Sequence, residues 1–388
     1  MSRRPPSSDD SIQVLVNARH LAGPKTGIEV YMEHLLTALA GTGQVNITAL
    51  TWARLGLEQP GIREVVLGHR PDFAPGAVGT FRATLWKTWF DQWGGLRAVL
   101  PDHGILYHGM EGFLPHALRR RDRCVATVHD LGWQVHPELY PRKLRLLYGA
   151  LFPWVIRRAD RFIAVSRYTA DDLIRRAGVP AARIEVIYHG LDPAFAPSHG
   201  GTGQAGDGPP YMLAVGGASP RKNTRRLIEA FSRWRARGAH RAEFALRITG
   251  TSLDPELQRA GDGLPAGVSL LGYVDKAELQ RLYAGAATFL YPSIYEGFGL
   301  PIIEAMACGA PVVTSTTASA PEIAGGAAIL VDPFDVESIE AGMERATNPD
   351  EATRLRAMGH ERARQFDWSS AAASTLQVYR QLRGEVTG

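Results

Sequence analysis

Two acids, a cation pair and a histidine stand out by type and spacing. Glu296 and Glu304 lie in the segment FLYPSIYEGFGLPIIEAMACGAPVVTS, residues 289–315, with seven residues between them. Glu296 sits in a glycine loop. Glu304 interrupts an apolar run between Ile303 and Ala305. A carboxylate in such a run needs hydrogen-bond donors, and ligand hydroxyls can supply them. The plainer reading is a solvated loop acid and a helix-surface acid. Arg221 and Lys222 stand in ASPRKN, just ahead of the helical pattern TRRLIEAFSRW. Two cations beside helix N–H groups can clamp a diphosphate, although surface Arg-Lys pairs are common. His129 and Asp130 close the apolar run CVATVHD, where a histidine can be structural or face a ligand and the aspartate can orient the loop or the ring.

The elements that must hold these groups follow from local pattern. Phe289 to Tyr291 ends an apolar strand, and Glu296 to Gly299 form a loop. Pro301 suits the first turn of a helix running from Ile302 to Cys308. Gly309 and Pro311 are stop signals, and Pro311 to Thr314 reads as a buried parallel strand. A loop that leaves a strand and enters a helix is where open α/β sheets bind ligands. The same grammar recurs. Ile12 to Asn17 is a strand, AGPKTG (22–27) a glycine loop and Ile28 to Ala40 a helix. Val45 to Thr51, Ile105 to His108, Cys124 to His129, Phe162 to Ser166 and Glu185 to Tyr188 are strands. Gly56 to Gly79 reads as irregular. Ser166 is a helix cap.

The stretch PSHGGTGQAGDGPP is the clearest linker. Strand–helix alternation on both sides of it predicts two α/β domains with parallel sheets. The expected plan is a disordered tail at 1–10, an N-terminal domain at 11–196, a linker at 197–210, a second domain at 211–367 and a final helical segment at 368–388. In the second domain Tyr211 to Gly217, Phe244 to Gly250, Val268 to Gly272 and Ile329 to Val331 read as strands. Thr80 to Leu100 carries three tryptophans and two phenylalanines and reads as a core-facing helix or an acceptor- or membrane-facing surface. Pro141 to Arg161 mixes Arg and Lys with Leu, Trp and Phe. It reads as a helix over the sheet or one lying on an anionic bilayer.

Composition is ordinary for a globular chain, at 45% apolar and 21% charged residues. A formal charge of +4 suits an acidic ligand or an anionic surface without requiring either. Cys124 and Cys308 have no metal-ligand spacing and are expected as buried free thiols, which suits a reducing cytoplasm. The start lacks the apolar core of a signal peptide, and no run reaches the roughly 18 residues of a membrane helix.

The motif E-G-F-G-L-P-x-x-E-A-x-A-C-G-x-P-V-V resembles the signature of retaining glycosyltransferases of family 4. The segments VHDLGWQVHPELY and G-x-x-x-x-R-K-N, from Gly216, resemble two further family segments. The likeness implies the GT-B fold, two Rossmann-like domains with parallel sheets facing across a cleft. It implies that Glu296 and the N–H groups of Gly297, Phe298, Gly299 and Leu300 hold the donor sugar. Glu304 would bind the ribose and Arg221 and Lys222 the donor phosphates. His129 would approach the sugar from the other domain. Gly27 would lie under the diphosphate, beside Glu29 and Val30 that depart from the commoner Gly-Arg pattern. Gly217 would border the donor, and the backbone of Tyr273 and Val274 would receive the base. His189 departs from the commoner Asn-Gly. The tail from Trp368 would return to pack on the first domain.

The implied activity is transfer of a hexose from a nucleotide-sugar to a hydroxyl of a glycan or lipid-linked acceptor, with retention. VHDLGWQVHPELYP is similar to mannosyl- and hexosyltransferases of bacterial surface polysaccharides, which makes GDP-mannose the first donor to test. The cation pair would replace a divalent metal, so no cofactor and no metal are expected, and no nucleic-acid partner. The expected location is the cytoplasm, with peripheral contact at the inner membrane face. Alternatives are an epimerase or hydrolase of the same fold, or a non-catalytic nucleotide-sugar binding protein. A glycan phosphorylase would need a pyridoxal phosphate lysine, for which no matching segment is present.

Overall fold

The computed structural model describes residues 11–22, 27–57, 59–67, 100, 104–195, 209–216, 220–250 and 263–384. The tail at 1–10, the aromatic stretch up to 99, the linker up to 208 and Gly217 lie outside the described residues.

Two parallel sheets carry the chain. The first has seven strands in the order β3-β2-β1-β4-β5-β6-β7. These are β1 (Ile12–Asn17), β2 (Val45–Thr51), β3 (Ile62–Val66), β4 (Leu106–Gly109), β5 (Arg123–Val128), β6 (Arg161–Ala164) and β7 (Ile184–Val186). The second has six in the order β10-β9-β8-β11-β12-β13. These are β8 (Tyr211–Val215), β9 (Ala245–Thr249), β10 (Val268–Gly272), β11 (Thr288–Tyr291), β12 (Val312–Ser315) and β13 (Ile329–Val331). Strand order reverses between β1 and β4 in one sheet and between β8 and β11 in the other. At such switch points the two strands' following loops diverge and leave a crevice at the carboxyl ends.

β3 falls inside the segment expected to be irregular. Arg63 and Glu64 break its apolar run, and it pairs with β2 at the end of the strand order. An edge strand with one half-wet side carries little hydrophobic signal.

The principal helices are α1 (Gly27–Gly41), α2 (Arg142–Arg158), α3 (Arg167–Ala177), α4 (Thr224–Ala236), α5 (Lys276–Gly285), α6 (Leu300–Ala307), α7 (Ala320–Ala324), α8 (Val336–Thr347), α9 (Pro349–Ala363) and α10 (Trp368–Gly384). α6 is buried almost all round, because its apolar run is covered by α5, α7, α9 and β12. α10 packs on α1, and Trp368, Ala372, Leu376, Tyr379 and Leu382 join the core built on β1 and β2. The Tyr379 hydroxyl meets His108 Nδ1 at 2.6 Å. α2 buries only Phe152 and Val155 and leaves Arg142, Lys143, Arg145 and Leu146 exposed. Cys124 is buried and Cys308 half-buried, both free. Among the described residues no helix is long and apolar enough to cross a membrane.

Candidate active site

The cation pair is fixed by one asparagine. Asn223 adopts a left-handed conformation, φ +62°, a turn that asparagine tolerates better than most residues. Its Nδ2 donates to the carbonyls of Pro292 at 3.1 Å and Pro333 at 2.6 Å. The turn before α4 is thereby tied to the ends of β11 and β13. Ile294 N–H donates to Arg221 O at 2.8 Å, which closes the same tie from the other side. Arg221 and Lys222 are thus held at the β8/β11 switch point.

Both cations point at Glu296. Lys222 Nζ donates to Oε1 at 2.8 Å, and Arg221 Nη1 lies 3.3 Å from Oε2. Arg221 also reaches across the cleft to Asp130 Oδ2 at 3.5 Å. Lys222 in addition donates to the Tyr291 hydroxyl, with its ammonium 4.5 Å from that ring's centre. Burial pushes the Glu296 carboxyl up, but Arg221 and Lys222 outweigh it and hold it below the ordinary range. Burial lowers the Lys222 ammonium, partly offset by Glu296. Arg221 is raised by Glu296 above all. Each charge of the cluster has a partner, the condition under which buried charges are tolerated.

Glu304 lies one turn into α6 and is 9% exposed. Its Oε2 accepts from the Tyr283 hydroxyl at 3.2 Å. Burial pushes its carboxyl up to about 7, with the Tyr283 bond and the Lys276 and Lys222 charges opposing the rise. Lys222 thus acts electrostatically on both acids. Tyr273 is 66% exposed and Val274 partly buried, both ahead of α5.

The glycine loop is pressed against the other domain. A Cβ on Gly297 would stand 1.6 Å from His129 O, so no larger residue fits. Phe298 is buried at the start of α6, against His189 at 4.6 Å between ring centres. Gly299 caps α6 with φ +102°. Gly27, at the start of α1, would bring a Cβ 3.8 Å from Leu300 Cδ1, so the two helix N-termini adjoin. His129 Nε2 donates to Met110 O at 2.8 Å, which leaves Nδ1 as the acceptor on the far side of the ring. Burial lowers its pKa, with the Met110 bond and the Asp130 charge opposing the shift.

The structure therefore brings Glu296, Arg221, Lys222, His129 and Gly297 to Leu300 together, with Gly27 beside them and Glu304 in reach of the same lysine. Several partners were not visible in the sequence. Asp130 lies in the loop after β5, and its carboxylate meets Arg221 only in the fold. Tyr291 lies in a strand and Tyr283 in a helix, and their hydroxyls meet Lys222 and Glu304 only there. His189 is buried among Tyr31, Phe298 and Trp368, and among the described residues neither ring nitrogen has a hydrogen-bond partner. Its only signal was its departure from the family pattern. Among the described residues no three His, Cys, Asp or Glu side chains converge as a metal site requires.

Two Rossmann-like domains with a paired-cation cluster at the β8/β11 switch point have the architecture of the GT-B class. A sucrose-phosphate synthase from Thermosynechococcus elongatus superposes with a TM-score of 0.75 at 24% identity, over 97% of this chain and 100% of that one. Residues 25–195 match the model for Glycosyltransferase Family 4, and residues 209–348 match that for Glycosyl transferases group 1. The O-antigen chain mannosyltransferase B of Escherichia coli is 34% identical over 289 residues, 71% of this chain and 74% of that protein. An MMP alpha-(1->4)-mannosyltransferase of Mycolicibacterium hassiacum is 32% identical over 275 residues, 66% of this chain and 64% of that protein. The chain belongs to glycosyltransferase family 4.

Proposed function

We propose that this enzyme transfers mannose from GDP-mannose to a hydroxyl of a glycan or lipid-linked acceptor, with retention and without a metal ion. The observation that carries the reading is the Arg221–Lys222–Glu296 cluster at the β8/β11 switch point. In the transfer the bond from the sugar's C1 to the diphosphate oxygen breaks and the acceptor oxygen bonds to C1. The acceptor proton leaves with the nucleoside diphosphate. Negative charge grows on the departing diphosphate, so fixed cations stabilise the transition state more than the ground state. Arg221 and Lys222 supply that charge, and no other cofactor is needed for it. Glu296 holds both cations and positions the sugar. The Gly297–Leu300 N–H groups and the start of α6 face the donor. Gly27 and Gly217 border the diphosphate, Glu304 takes the ribose and the Tyr273–Val274 backbone the base. His129 contacts the sugar from the N-terminal domain, so chemistry requires closure. The mannosyltransferase names of the two relatives support the choice of sugar. Proton NMR of the product made from GDP-α-mannose tests the stereochemistry. An α-linked product is expected, and a β-linked product refutes retention.

The same reading places the enzyme in the cytoplasm, against the inner face of a membrane. The exposed Arg142, Lys143, Arg145 and Leu146 of α2 present charge and an apolar side chain to an anionic surface. Vesicles containing phosphatidylglycerol should sediment the parent protein and release an Arg142→Glu/Lys143→Glu/Arg145→Glu variant. Equal sedimentation of both removes α2 from membrane contact.

A further inference from the structure

The donor loop is gripped from the other domain at one carbonyl. Ser166 Oγ lies 2.6 Å and Thr169 Oγ1 3.2 Å from Gly297 O, and both hydroxyl residues are fully buried. Ser166 also caps α3 by accepting from Thr169 N–H at 3.0 Å. The Gly297–Phe298 peptide is trans. In a planar trans peptide the carbonyl and the following N–H point in opposite directions. A Gly297 carbonyl fixed on α3 therefore turns the Phe298 N–H away from α3.

The two domains meet a second time at the start of α3. Glu322, in α7, accepts from the backbone N–H of Arg167 at 2.8 Å and of Tyr168 at 3.1 Å, and from the Tyr188 hydroxyl at 2.8 Å. A carboxylate at a helix N-terminus is favourably placed against its free N–H groups and dipole. α7 is itself fastened to the donor loop, because Ser319 Oγ lies 2.9 Å from Glu296 O and 2.8 Å from Phe298 O. The start of α3 is thus held by the donor loop on one side and by the carboxylate behind that loop on the other.

We propose that Ser166 and Thr169 orient the Gly297–Phe298 peptide for the donor, and that Glu322 holds α3 in place while they do. All three are positioning residues. They touch no reacting atom. The contacts of Ser166 and Thr169 with Gly297 O, and of Glu322 with Arg167, Tyr168 and Tyr188, exist only with the domains together, so closure of the cleft aims a donor-loop N–H. The proposal deepens the transfer reading above and rests on it for the identity of the donor.

Two measurements test it. The sequence contains two Gly-Phe pairs, Gly112–Phe113 and Gly297–Phe298. Protein labelled with carbonyl-¹³C glycine and ¹⁵N phenylalanine therefore gives two cross-peaks in a carbonyl–amide correlation spectrum, one of them an internal control. In Ser166→Ala/Thr169→Val the Gly297 carbonyl should move upfield as it loses its donors, with Gly112 unmoved. Glu322 still caps α3 in that variant, and Thr169→Val alone leaves the Ser166 cap intact if the double variant folds poorly. The second measurement is GDP release from GDP-mannose. kcat should fall about tenfold in Thr169→Val, the scale of one lost hydrogen bond, while Kd for GDP stays within about twofold, and Thr169→Ser should restore kcat. A Gly297 carbonyl that does not move, or equal loss of kcat and GDP affinity, overturns the proposal. If the parent releases no GDP, the donor assignment fails instead, and the carbonyl shift still decides the peptide's orientation.

Discussion

At the scale of single residues, Glu304 is the informative group. It sits in an apolar helix with one tyrosine donor, and burial raises its carboxyl from 4.5 to about 7. In the unfolded chain it ionises near 4.5, so as pH rises from there to about 7 the unfolded state sheds its proton first. The folded state must then carry a desolvated charge, and this residue's contribution to stability falls across that window. Glu304→Gln has no such cost, so its melting temperature relative to the parent should climb between about pH 4.5 and pH 7. A flat difference would show that the carboxyl titrates normally. Ribose binding gives a second test of the same residue. Two hydroxyls donating to a charged group contribute about 1.5–3 kcal/mol each. The 2′,3′-dideoxy nucleotide should therefore bind the parent poorly and lose nothing further in Glu304→Gln. Equal binding of normal and dideoxy nucleotides by the parent would make Glu304 a structural acid. The interruption of an apolar run by Glu304 was legible in the sequence. Its partner Tyr283, one residue among several in the amphipathic run KAELQRLYAGA, was not, because contact between α5 and α6 depends on the sheet that separates them in sequence.

At the scale of elements, the site depends on turns more than on strands. Each strand needed for it was readable as an apolar run, and the β8 and β11 segments fall where the pattern put them. β3 was missed for lack of such a run. The turn before α4 is a different kind of object. Asn223 combines a left-handed backbone with hydrogen bonds to two carbonyls from two other strand ends. Neither property leaves a periodic signal; both follow from where β11 and β13 end. Asn223→Ala should lose the hydrogen bonds and add left-handed strain, about 2–4 kcal/mol together. Asn223→Gly should recover the strain alone. Thermal unfolding of the two variants separates these parts, and an alanine variant as stable as the parent would show that the turn is held by other contacts. Turnover should fall in both, since Arg221 and Lys222 ride on that turn.

At the scale of the whole molecule, two domains of the same architecture contribute unequally. The C-terminal domain holds the cations and both acids. The N-terminal domain supplies His129, the Asp130 partner of Arg221 and the hydroxyls on Gly297. α10 crosses back to complete the N-terminal core. The paired domains were legible from strand–helix alternation around a glycine-rich linker. Their contacts were not, because each joins residues far apart in sequence whose local patterns look like ordinary caps and loops. The central claim is that the paired cations, not a divalent metal, stabilise the leaving diphosphate. Its most direct test is the rate of mannose transfer from GDP-mannose in excess EDTA, for the parent and for Arg221→Ala/Lys222→Ala. The parent should keep its full rate in the chelator, and the double variant should fall by roughly two to four orders of magnitude. A parent rate that vanishes in EDTA and returns only with Mg²⁺ or Mn²⁺, or a double variant that turns over normally, would contradict the account.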